Sequence, residues 1–211
     1  MIILIMGPQG SGKGSVAERL AHDAGYVHIS TGDLLRAEIR TGSALGKSIE
    51  KVIDKGGLVS DGLIMRLLKK HLSATALKKG VLLDGFPRDK EQARALDKEF
   101  SVDCVIALII PDSIAVARIS NRVQCTKCGE IYGTNIKPKR SGVCDKCGGR
   151  LTQREDDTPA AVRKRLATYH KETELLLAMY KKIVHRIDAT ADLQTVVDDV
   201  ERAIKRCRTS A

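Results

Sequence analysis

Apolar residues along this chain gather in two rhythms. Short continuous runs, Ile2–Met6, Val81–Leu83 and Cys104–Ile110, are each followed by stretches in which apolar positions return every three or four residues. Continuous runs fit strands of a parallel sheet covered on both faces, and the longer spacing fits amphipathic helices. Val16, Leu20 and Ala24 share one face of a first helix. Tyr26–Ile29 and Ile183–Ile187 read as two further strands. Leu63, Ile64, Leu67, Leu68 and Leu72 mark a helix capped by Ser60-Asp61, and Gly80 stops this helix or the loop after it. A helix over Asp89–Phe100 buries Ala93, Leu96 and Phe100, and Asp112 caps another that carries Ile114, Ala115, Arg118 and Arg122. Thr158-Pro159 opens a long helix by the N-cap and N1-proline rule. Its stripe of Val162, Leu166, Tyr169, Thr173, Leu176 and Tyr180 runs unbroken. Asp192 caps a closing helix bearing Leu193, Val196, Val197, Val200 and Ile204, and the basic tail Lys205–Arg208 reads as solvated.

Two stretches leave this rhythm. Residues 30–59 are polar, with narrow helical stripes: Ser30–Asp33 is a turn and N-cap for Leu34–Ile39, Thr41-Gly42-Ser43 breaks the pattern, and Leu45, Ile49, Val52 and Ile53 form a second short helix ended by Gly56-Gly57. Residues 123–153 lose apolar periodicity and gain Gly, Lys and Cys. The rest is strand–helix alternation, so the pattern is an α/β fold with a cleft at the carboxyl ends of its strands and two insertions.

Composition narrows the function classes. A chain of 211 residues allows one sizeable domain with small insertions and buries roughly 70% of its unfolded surface. Its net charge of +10 suits a polyanionic partner, nucleotide or nucleic acid. Two Phe, four Tyr and no Trp are too few for a base-stacking platform. The sequence has no membrane-length apolar segment and no charged stretch before its short first apolar run, so the expected location is cytoplasmic. Of the six cysteines, four fall in two C-x-x-C pairs, which in a reducing compartment reads as metal binding.

Four motifs carry chemistry. Gly7-Pro8-Gln9-Gly10-Ser11-Gly12-Lys13-Gly14-Ser15 lies between the first strand and first helix with P-loop spacing, except that Gly14 separates Lys13 from the hydroxyl of Ser15. Glycines turn backbone N–H groups around phosphate oxygens, and Lys13 supplies a point charge. Cys125, Cys128, Cys144 and Cys147 are spaced for a closed tetrahedral shell. Zinc in a structural role is the expected occupant, with free thiols or an iron–sulfur cluster as alternatives. In Leu82–Arg88, Asp84 ends a strand beside the P-loop, as a metal-site acid or a turn former; Arg88 offers a fork to phosphate or forms a surface ion pair. Arg118 and Arg122, at i and i+4, project together, with Arg154 and Arg165 beyond the insertion. They read equally as a phosphate clamp or as a solvated face neutralised by Asp156 and Asp157. Cys104 reads as a buried strand residue and Cys207 as an exposed thiol.

Taken together, GPQGSGKG, Ser30-Thr31-Gly32-Asp33-Leu34-Leu35-Arg36, LLDGFPR and the four-Cys insertion resemble the adenylate kinase family, in its zinc-bearing long-lid form, over essentially the whole chain. The resemblance implies a P-loop kinase core (1–29, 60–121 and 158–211) with a parallel five-stranded sheet flanked by helices. It also implies a helical AMP-binding flap at 30–59 and a zinc-binding lid at 122–157 that closes over ATP, a closure for which the family is a standing example. The implied reaction is ATP + AMP ⇌ 2 ADP with Mg²⁺, in a monomer with no nucleic-acid or membrane partner. Gly10, Ser11, Gly12, Lys13, Gly14, Ser15 and Arg118 would hold ATP. Thr31, Arg36, Gly57, Leu58, Val59, Gly85, Arg88, Gln92, Arg154 and Arg165 would hold AMP. Lys13, Arg88, Arg122, Arg154 and Arg165 would serve transfer, Asp33 and Asp84 would order Mg²⁺ through water, and the four cysteines would hold zinc.

Some positions depart from the family pattern. Ser15 stands where Thr is usual, Pro8 lies one position early, Gly133 replaces a usual His, and Thr134–Ser141 lacks the usual apolar-and-proline pattern. Two other readings compete: a UMP/CMP kinase of the same fold, and a zinc-ribbon nucleic-acid-binding P-loop ATPase.

Overall fold

The computed structural model describes residues 1–54, 59–134, 136–154 and 157–209. The expected AMP contacts at Gly57 and Leu58, and the glycine stop at Gly56-Gly57, lie outside the described residues. The chain opens with β1 (Ile2–Met6), α1 (Lys13–Ala24) and β2 (Val27–Ser30). The 30–59 insertion follows as α2 (Thr31–Arg40) and α3 (Ala44–Asp54). Then come α4 (Asp61–His71), α5 (Ala74–Lys79), β3 (Val81–Asp84), α6 (Lys90–Glu99), β4 (Cys104–Ile109) and α7 (Asp112–Ser120). The second insertion holds β5 (Val123–Cys125), β6 (Ile131–Tyr132) and β7 (Leu151–Thr152). The chain closes with α8 (Pro159–Thr168), a π turn (Tyr169–Thr173), α9 (Leu176–Met179), β8 (Val184–Asp188) and α10 (Leu193–Thr209).

The sheet order is β2-β3-β1-β4-β8, five strands, with parallel pairing throughout. Its two faces explain the continuous apolar runs. Ile2, Leu4, Met6, Leu83 and Val105 point into one core, packed by the helices from α2 to α6 and by α9. Ile3, Ile5, Leu82, Ile106 and Leu108 point into the other, under α1, α7, α8 and α10. Each such side chain stabilises the fold by about 1.5–3 kcal/mol through loss of apolar surface to water. The second insertion forms a separate antiparallel sheet, β6-β5-β7, with its own small cluster around Cys125, Tyr132, Cys144 and Leu151.

Caps follow the sequence in most places. The Ser30 and Thr158 hydroxyls accept from Asp33 N–H and Ala161 N–H, and Asp192 accepts from Thr195 N–H. Asp112 is not a cap: Pro111 takes that position, and Asp112 opens the first turn. Ser60 stands at the N-cap without a side-chain bond. The long helix expected from Thr158 is interrupted, because Glu174 N–H reaches back five residues to Tyr169 C=O at 2.8 Å. α7 also stops early, so Arg122 lies beyond the helix that carries Arg118.

The tail needs the largest correction. α10 continues to Thr209, so Cys207 extends the stripe of Val196, Val200 and Ile204 rather than ending in solvent. Cys207 is 8% exposed and forms a disulfide with the fully buried Cys104 across 103 residues of chain. The bond fastens α10 to the start of β4. A disulfide typically stabilises a fold by about 2–4 kcal/mol. Cys207→Ser should therefore lower the melting temperature by roughly 5–15 °C and remove its response to a phosphine reductant. Thermal scans of both proteins with and without the reductant provide the check.

Candidate active site

The carboxyl ends of β1, β2 and β3 open into a cleft of about 340 Å³. Its floor is the loop from Gly7 to Gly12, which hands over to the N-terminus of α1. At Gly10, φ is 86°, and a β-carbon would stand 2.6 Å from the Ala115 carbonyl oxygen. Only glycine lets this turn press against α7. The first amides of α1 have no partners within the helix and form an anion-receptive end. Lys13 Nζ donates to the carbonyls of Gly7 (2.9 Å) and Pro8 (2.8 Å). Loss of hydration, opposed by Asp84 and helped by Arg88 and Arg122, lowers its pKa to about 8.

Asp84 faces this loop from the end of β3. Its Oδ2 lies 3.5 Å from where a Gly14 β-carbon would stand, and 3.8 Å from His28 Nε2. That histidine nitrogen is buried without a hydrogen-bond partner among the described residues. Asp33, the other expected Mg²⁺ acid, sits on α2 and is paired with Arg36 at 2.6 Å.

The wall between α2 and α6 is more tightly bonded. Thr31 is buried, and its hydroxyl donates to the Asp84 carbonyl. Arg88 Nε donates to the Gly85 carbonyl, while Arg88 N–H donates to Gln92 Oε1 at 2.9 Å. Gln92 is 0% exposed, and its Nε2 has no partner among the described residues. A buried amide donor left open in this way costs free energy unless a ligand acceptor meets it.

The opposite wall carries the insertion's arginines. Arg122 grips Asp157 with both arms of its fork, at 2.6–2.9 Å, and Arg165 approaches the same carboxylate at 3.7 Å. The Gln9 side-chain amide of the P-loop also donates to Asp157, whose side chain is 0% exposed. Arg154 donates to Gln124; burial, and then the charges of Arg36 and Arg122, push its pKa down to about 10. Arg118 turns instead toward the carbonyls of Ala189 and Thr190. Arg118 and Arg122 therefore do not project together as i, i+4 neighbours, although both line the cleft.

Every expected nucleotide-site residue among the described ones lines this one cleft: Gly10–Ser15, Thr31, Asp33, Arg36, Val59, Asp84, Gly85, Arg88, Gln92, Arg118, Arg122, Arg154 and Arg165. The sequence reading missed Gln9, His28 and the central part played by Asp157. The sequence places Asp157 only as one acid that could neutralise a solvated basic face, whereas its carboxylate is buried at the centre of the cluster.

The four expected metal cysteines lie apart from the cleft. Their sulfurs are all within 4.8 Å of one another, with Cys125–Cys147 at 3.5 Å and Cys128–Cys144 at 3.6 Å. Cys128 N–H points at the Cys125 sulfur, and the Tyr132 hydroxyl lies 3.6 Å from that of Cys144. A β-carbon on Gly149 would stand 2.7 Å from Cys125 Sγ, so glycine is required for the chain to close around the cluster.

A phosphate loop between the central strand and first helix of a parallel sheet, ringed by arginines, defines a P-loop nucleotide-binding protein. The adenylate kinase family model matches residues 5–185. An adenylate kinase of Methanosarcina mazei is 40% identical over 98% of this chain and 99% of its own length. One of Archaeoglobus fulgidus is 39% identical over 99% and 100%, and one of Treponema pallidum 40% identical over 86% and 87%. The chain belongs to the adenylate kinase family. It is an enzyme of phosphoryl transfer between adenine nucleotides. Among the described residues no helix is long and apolar enough to cross a membrane.

The state of Lys13 gives a direct test. At pH 8.5 a lysine with a pKa near 8 is mostly neutral, and an arriving polyphosphate restores its charge. Binding of ADP without Mg²⁺ should then take up roughly three-quarters of a proton, falling as the pH drops toward 7. Calorimetry in buffers of different ionisation enthalpy measures that uptake, and Lys13→Met should abolish it.

Proposed function

We propose that the enzyme catalyses ATP + AMP ⇌ 2 ADP with Mg²⁺, with ATP on the P-loop side and AMP between the 30–59 flap and α6. The observation that carries this reading is the convergence of Lys13, Arg36, Arg88, Arg122, Arg154 and Arg165 on one cleft. Phosphoryl transfer calls mainly for alignment and charge neutralisation. With Arg118 these groups number seven cations, against about six negative charges on ATP plus AMP. Lys13 and the α1 amides hold the donor phosphates. Arg36 and Arg88 hold the acceptor phosphate, and Arg122, Arg154 and Arg165 neutralise the group between them. The acceptor oxygen is already anionic, so no general base is needed. The Gln92 Nε2 donor, without a partner among the described residues, suits a base acceptor on AMP. Arg118 lies toward the adenine side of the donor.

Mg²⁺ bound with the donor would supply further charge neutralisation. Asp84, beside Gly14 and unpaired with any arginine at hydrogen-bond distance among the described residues, fits as a holder of its waters. Asp33 would join it by sharing its carboxylate with Arg36. The insertions at 30–59 and 122–157 act as acceptor flap and lid, whose closure excludes water. A cleft built within one chain supports action as a monomer, with free nucleotides of the cytoplasm as substrates.

Zinc is the ion we assign to the four cysteines. The fit rests on the sulfur spacing, the N–H groups aimed at sulfur, and the Gly149 approach. Four thiolates leave no open position, so the ion holds the lid's fold and takes no part in transfer.

A coupled assay for ADP from ATP plus AMP is the primary test. Wild type should turn over AMP well above UMP or CMP, and Lys13→Met should lose at least a hundredfold in kcat while keeping its melting temperature. Faster turnover of UMP or CMP would assign the acceptor site differently. A salt-dependent shift on RNA with no ADP formed would favour a nucleic-acid ATPase. Metal analysis should find one zinc per chain, and Cys125→Ser should lose it together with several degrees of melting temperature. Unchanged melting after metal removal would reject the structural role.

A further inference from the structure

The π turn at Tyr169–Thr173 ends on Thr173, a buried polar residue that is 8% exposed. Its hydroxyl donates to the backbone carbonyl of Arg88 at 2.7 Å, across 85 residues of chain. The turn is braced outside the cleft, where His170 lies between Glu174 (2.8 Å) and Asp112 (3.0 Å).

Arg88 is thus held at both its backbone N–H and its C=O by side chains from different elements. Gln92 of α6 accepts from its N–H, and Thr173 donates to its C=O. A further bond, Nε to the Gly85 carbonyl, sets the direction of the guanidinium. Gly85 lies in the loop whose far end these two side chains fix. Losing the Thr173 bond frees the Arg88 peptide to rotate and misdirects the fork.

We propose that Thr173 is a positioning residue for the acceptor phosphate, acting through Arg88. This rests on the assignment of Arg88 to AMP made above. The same segment carries Arg165, eight residues earlier, so one stretch of chain fixes the relative placement of two cations that must meet one phosphate.

The test uses Thr173→Val, which keeps the shape without the hydroxyl, and Thr173→Ser, which restores it. With ATP and AMP varied in turn, Thr173→Val should lower kcat/KM for AMP about tenfold, leave KM for ATP within twofold, and be rescued by Thr173→Ser to within twofold of wild type. In ¹⁵N-arginine spectra of the ligand-free protein, the Arg88 Nε–H signal, assigned with Arg88→Lys, should shift or broaden in Thr173→Val and return in Thr173→Ser. An unchanged Nε–H signal, an equal loss toward ATP and AMP, or a Ser variant as impaired as Val would overturn the proposal. If wild type makes no ADP from ATP and AMP, the proposed reaction falls, and the Nε–H signal alone decides whether Thr173 orients Arg88.

Discussion

The carboxylate of Asp157 has no exposure to water, and three parts of the chain converge on it: Arg122 at the start of the second insertion, Arg165 in α8 and Gln9 in the P-loop. Arginines crowded into a cleft repel one another and lose hydration. A buried acid among them offsets both costs, and removing one partner from such a cluster typically costs about 3–5 kcal/mol. Asp157 therefore does two jobs. It fixes two guanidinium groups in the cleft, and it ties the end of the insertion to the P-loop. Because two arginines already share this acid, added anionic charge can be met by a small change in partner instead of a large movement of side chains.

The rest of the molecule supports that cluster. The parallel sheet buries both faces, so its strand ends are rigid, and every loop that leaves them toward the cleft starts from a fixed point. β1 delivers the P-loop, β3 delivers Asp84 and the Gly85–Arg88 turn, and β4 leads into α7 and Arg118. The two insertions leave from this rigid frame. The second is stabilised by the cluster around its four cysteines, and metal coordination there would add to a core too small to hold alone.

Much of this was legible in the sequence because it is local. A continuous apolar run, a glycine-rich loop and a periodic stripe identify β1, the P-loop and α1 without reference to anything distant. The paired C-x-x-C motifs did the same for the cysteine cluster. What escaped depended on long-range contact. The stripe through Tyr169 and Thr173 keeps helical spacing, so nothing in it announces the π turn. The i, i+4 spacing of Arg118 and Arg122 assumed a helix that in fact ends before Arg122. Asp157 looked like one of several surface acids, because its burial arises from partners 35 and 148 residues away. Cys207 was misread for a different reason. Three neighbouring basic residues suggested a solvated tail, yet its spacing from Val200 and Ile204 already continued the buried stripe.

The Cys104–Cys207 bond also changes the connectivity of the chain. It closes a covalent ring that contains α7, the whole second insertion, α8 and the π turn. The insertion therefore moves as a bulge on a closed loop whose two roots are joined through β4 and α10 as well as through their own backbone. A protease that cut one peptide bond in that insertion would produce two pieces of chain but one molecule, with the strand and helix of the second core still fastened together.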